Sequence, residues 1–73
     1  MLNEHDMDML VRGAIYSFEL AELRVFGDMF VMTGPSGVHS LNKHSTDLER
    51  LNAHWDGFCA DKRNKFETPM VLA

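Results

Sequence analysis

Four histidines and a single cysteine are the side chains of this sequence best suited to chemistry, so their spacing comes first. His39 and His44 stand five apart, and so do His54 and Cys59. Metal ligands sharing a helix face stand three or four apart. A spacing of five turns them about 140° away from each other. His44 with Asp47, and His5 with Asp8, do share a face, but neither pair has a third ligand at a useful spacing. The expectation is no metal site and no cofactor. Cys59 reads as a small hydrophobe beside Phe58. A nucleophilic thiolate needs a neighbouring base, and the helical period sends His54 to a different side. Gly34-Pro35-Ser36-Gly37 lacks the lysine and the preceding strand of a phosphate loop. No catalytic residue is therefore expected.

Those residues must be positioned by a short chain. Its 73 residues leave room for one domain, 45% hydrophobic and 25% charged. Met7, Val11, Ala14, Phe18, Ala21 and Val25 alternate steps of four and three. Leu41, His44, Leu48, Leu51, Trp55, Phe58 and Lys62 do the same. Such spacing puts each set on one side of a helix. Asn3 is a natural N-cap, followed by Glu4 and Asp6 in the first turn, where the helix dipole favours acids. Asp8 and Arg12 form an i,i+4 pair, and Gly13 weakens the helix without ending it. Gly27 and the β-prone Phe30-Val31 leave room for a break or a short strand, but the apolar side continues to Met32. Thr33-Gly34-Pro35 then stops the pattern. Thr46-Asp47-Leu48-Glu49 reads as a capping box with Thr46 as N-cap. Asp61 and Lys65 offer a last i,i+4 pair before Thr68-Pro69.

The resulting expectation is an all-α fold. It is an antiparallel helical hairpin of about residues 4–32 and 40–66, with 67–73 as a loose or docking apolar tail. So small a core rarely stands alone. With one cysteine there is no intrachain disulfide. Self-association into a homodimer with a four-helix bundle-like core is the remaining route.

The first segment is apolar on two sides, which is the mark of a helix buried on two sides. Met9, Tyr16, Leu20 and Leu23 form its second face, read as a dimer seam or target surface. Phe26, Met29, Phe30 and Met32 form a soft patch at the hairpin tip, rich in methionine as adaptable binding surfaces are. Met70-Val71-Leu72 has the character of a segment that adds to a sheet or fills a groove.

A formal net charge of −4 is a poor match for nucleic-acid phosphates and for anionic membranes. No run of 18 apolar residues exists, and the N-terminus carries no apolar leader, so a cytoplasmic location is expected. The functional expectation is a small non-enzymatic protein that binds another protein as an inhibitor, adaptor or sequestering partner, of the kind a phage or mobile element encodes. One alternative is a dimeric nucleic-acid-binding regulator. Its basic candidates are Lys43, Arg50, Lys62, Arg63 and Lys65, interrupted by Asp47, Glu49, Asp56 and Asp61. The other is a metal or small-ligand carrier in a bundle core.

Overall fold

The computed structural model describes residues 1–66, and its fold is mixed rather than all-α. A helix, α1 (Glu4–Val11), leads into four strands, β1 (Tyr16–Phe18), β2 (Ala21–Phe26), β3 (Met29–Gly34) and β4 (Gly37–Asn42). A second helix, α2 (Leu48–Ala60), and a 3₁₀ turn, Lys62–Asn64, complete it. The strands form one antiparallel sheet in the order β1-β2-β3-β4. There is no helical hairpin, and with it goes the four-helix core. The expected tail, 67–73, lies outside the described residues.

The first helix ends where glycine permits it. Asn3 caps α1 as the sequence indicates. Its side chain accepts from the Asp6 backbone N–H at 2.9 Å, and the Asp6 carboxylate accepts from the Asn3 N–H at 2.9 Å. Gly13, however, terminates the helix instead of merely weakening it. With φ at +108°, it lets the Gly13 N–H donate to the Leu10 carbonyl at 3.0 Å and the Ala14 N–H donate to the Met9 carbonyl at 2.9 Å. That is the Schellman pattern, which turns the chain off the helix axis.

Beyond it the period falls from 3.6 to 2. Ala21 and Leu23 are buried and Val25 half-buried on one side of β2, while Glu22, Arg24 and Phe26 point to the other. In β3, Phe30 and Met32 are buried. Three two-residue turns, Glu19-Leu20, Gly27-Asp28 and Pro35-Ser36, join the strands. Gly27 supplies positive φ (+61°) at the first turn position, the glycine-led form of a tight hairpin. Pro35 suits the first central position of its own turn, whose ring presets the required φ. The Gly-Pro-Ser-Gly segment thus connects strands, not helices.

The second stripe is partly correct: a helix is there, but over 48–60. Asp47, not Thr46, is its N-cap and accepts from the Arg50 N–H at 2.8 Å. The Thr46 hydroxyl instead donates to the Asn42 carbonyl at 2.6 Å. Asp61 ends the helix in an extended conformation, and its carboxylate pairs with Arg63 at 2.8 Å rather than with Lys65.

Both helices lie on one face of the sheet. Leu10 of α1 and Leu51 and Trp55 of α2 pack with Ala21, Leu23, Phe30, Met32 and Leu41, all buried. Two asparagines lock this layer in place. The Asn52 carboxamide accepts from the Leu2 N–H and donates to the Leu2 carbonyl, both at 2.7 Å, so the chain start is tied to α2. The buried Asn64 donates to the Phe58 carbonyl at 2.7 Å and accepts from the Ser36 N–H at 2.9 Å. Its own carbonyl accepts from the Leu20 N–H at 3.0 Å. One residue therefore joins the end of α2 to two hairpin turns. Gly34 makes room for it: a Cβ there would stand 2.6 Å from the Asn64 Oδ1.

Candidate interaction surface

Strand alternation sends every second residue away from the helices, and no described element covers that side of the sheet. The uncovered face can be read row by row from the register. Phe26 pairs with Met29 and Met29 with Asn42. Arg24 pairs with Val31 and Val31 with Ser40; Glu22 pairs with Thr33 and Thr33 with Val38. Val31 lies diagonal to both Phe26 and Val38, a separation aromatic and branched side chains bridge. Phe26 is 75% exposed and Val38 73%. Among the described residues, the only acid and base on this face, Glu22 and Arg24, pair with each other at 3.1 Å. The rest of the face is apolar or carries hydroxyl and amide groups, so its net charge is zero.

The side chains expected to form a second helical face are dispersed by the strands. Met9 sits on the outer side of α1 and Leu20 in the β1–β2 turn, both partly exposed. Tyr16 and Leu23 are cross-strand partners. Leu23 is in the core, while the Tyr16 hydroxyl donates to the Asp6 carboxylate at 2.7 Å. That hydrogen bond holds the Asp6 carboxyl below its ordinary range and raises the Tyr16 hydroxyl above its own. The patch placed at a helical tip is divided likewise. Phe26 and Met29 meet on the uncovered face, and Phe30 and Met32 are fully buried behind it. Val31 and Val38 complete the exposed apolar set, and the helical reading missed both. Alternation about Gly27-Asp28 and Gly34-Pro35-Ser36-Gly37 was the signal that could have found them.

Three further features border the helices. An open groove of about 500 Å³ runs between α1 and the start of α2, with Met7, Val11, Phe30 and Leu48 as its apolar lining. Glu4, Asp8, Asp47 and Lys43 lie on its walls. Cys59 is half-buried beside Trp55. Burial, followed by the charges of Asp56 and Glu19, pushes its thiol up, the opposite of what a nucleophile needs. Glu19 holds positive φ (+55°) in the β1–β2 turn, where glycine is the easier residue. One of its carboxylate oxygens is buried without a hydrogen-bond partner among the described residues.

The fold also brings His39 of β4 against His54 of α2, with Nε2 and Nδ1 3.1 Å apart and the rings 5.0 Å between centres. Neither belonged to the other's pair in the linear reading. No group of three or more histidine, cysteine or acidic side chains able to hold a metal occurs among the described residues. No helix among them is long and apolar enough to cross a membrane. No family model, curated protein or solved structure matches the chain.

Proposed function

We propose that this chain is a non-enzymatic protein-binding module that works as a homodimer, joined through the uncovered face of its sheet. The observation carrying this reading is the contrast between that face and the whole chain. The chain has a net charge of −4, yet the face is neutral, its one acid cancelled by its one base. Two copies can therefore stack face to face without like-charge repulsion, as sheets do in a sandwich about 10 Å thick. Exposed Phe26 and Val38, with Met29 and Val31 between them, supply the apolar contact that marks an interface.

Such a seam leaves the groove between α1 and α2 on the outside of each protomer. Its apolar lining and mostly acidic walls suit a basic, apolar segment of a target protein, which the module would sequester or block. Of the basic residues the nucleic-acid alternative would use, Arg63 is held in an ion pair with Asp61, and the net charge of −4 weighs against that alternative.

Sedimentation equilibrium tests the seam. The wild type is expected to sediment as a dimer, and the double variant Phe26→Asp, Val38→Asp as a folded monomer with unchanged helical circular dichroism. A wild type that stays monomeric at high micromolar concentration, or a double variant that stays dimeric, overturns the reading.

A further inference from the structure

The geometry points to a divalent metal site at His39 and His54, with His39 Nε2 and His54 Nδ1 as its protein ligands and water in the remaining positions. Zinc–imidazole bonds are about 2.0–2.1 Å, so two nitrogens on one tetrahedral zinc lie roughly 3.3 Å apart. The observed 3.1 Å is within a few tenths of that spacing. The two residues come from different elements, a strand and a helix, and are already in place without rearrangement of the backbone.

The surroundings leave room for an ion and its waters. The pair opens into a shallow depression of about 390 Å³ whose walls include Gly37, Gly57 and Asp61. A Cβ built on either glycine would meet nothing within 4 Å, so the space beside the rings is open. Asp61 contributes negative charge. Hydrogen bonds from the Arg63 side chain and backbone lower its carboxyl to about 2, so it is negatively charged at neutral pH. Arg63 also occupies both of its oxygens, which leaves the two histidines as the direct ligands.

Binding needs no net loss of a proton from neutral rings. With both rings neutral, one facing nitrogen can donate its N–H to the other, the roles set by the tautomers. When the ion enters, that proton moves to the outward nitrogen of its own ring, and both facing lone pairs turn to the metal. With two protein ligands the site is open, of the kind that accepts an exchangeable ligand or a side chain from a partner, not a closed structural centre.

Thermal unfolding with and without Zn²⁺ tests this. At about ten times the dissociation constant, a ligand that binds only the folded state is expected to raise the Tm of a domain this size by roughly 5–10 °C. EDTA should reverse the rise. His39→Gln and His54→Gln should each abolish it, and His44→Gln should leave it intact. Both side chains reach solvent, so the metal-free Tm of the Gln variants should match the wild type. Should either variant unfold, substoichiometric Co²⁺ added to the wild type decides the matter. Selective broadening of the His39 and His54 ring resonances, with those of His5 and His44 sharp, supports the site. No Tm rise in the wild type, an equal rise in all variants, or uniform broadening overturns it and leaves a histidine–histidine hydrogen bond.

Discussion

The two faces of the sheet are built from the same strands and both carry large apolar side chains, yet only one is a core. On the helix side, Leu23, Phe30 and Met32 are fully buried against Leu10, Leu51 and Trp55. On the other, Phe26 and Val38 are left about three-quarters exposed. Each fully buried side chain of the first kind contributes about 1.5–3 kcal/mol, and exposed ones contribute little to the isolated chain. The helix side is built almost wholly of apolar side chains, whereas the other mixes Phe26, Met29, Val31 and Val38 with Glu22, Arg24, Thr33, Ser40 and Asn42. The apolar residues of the first become core because α1 and α2 dock over them; those of the second stay in water.

This comparison makes a graded set of predictions. The largest effect belongs to Phe30→Ala, which opens a cavity between both helices and the sheet. It should cost about 3–5 kcal/mol, comparable to the whole stability expected of so small a core. Urea titration at 25 °C should show a protein largely unfolded before denaturant is added. A clear native baseline would mean the helix side is not the principal core. Next comes Asn64→Ala, which strands the Ser36 N–H and leaves the Phe58 carbonyl only its donor from the Asp61 backbone. A loss of about 1–3 kcal/mol is expected from the same titration. Amide exchange should quicken at Ser36, which is the sharper readout because it reports the hydrogen bond itself. The smallest effect is predicted for Phe26→Ser, measured at a concentration low enough to keep the chain monomeric. Its unfolding free energy should change by no more than about 0.5 kcal/mol. A loss of 2 kcal/mol would show that something covers the second face even in the monomer, and the contrast between faces would fail.

The error in the helical reading has a definite physical source. A spacing of four puts residues on one side of both a helix and a strand, so Ala21 and Val25 satisfied either period. Residues at a spacing of two were the discriminating ones. A helix sets Leu23 opposite Ala21 and Val25, whereas a strand sets all three together, as found. The two-sided apolar helix inferred from Leu20 and Leu23 was the symptom of the wrong period. Local signals carried further where they were chemically specific. The Asn3 cap and the Asp8–Arg12 pair at 3.0 Å both appear in the structure. So do the inward-facing Leu51 and Trp55. The histidine pair was invisible because its members stand fifteen residues apart, on elements whose meeting no local spacing encodes.

The sequence by itself determined the Asn3 cap, the inner side of α2 and the net charge. Each depends on residues within a few positions of one another, or on composition alone. Only the tertiary structure decided that Gly13 ends a helix, which apolar set becomes core, and that His39 faces His54. Those outcomes depend on burial shared among distant elements. A Leu or a Phe gains nothing from its own neighbours along the chain until a helix from far away excludes the water beside it.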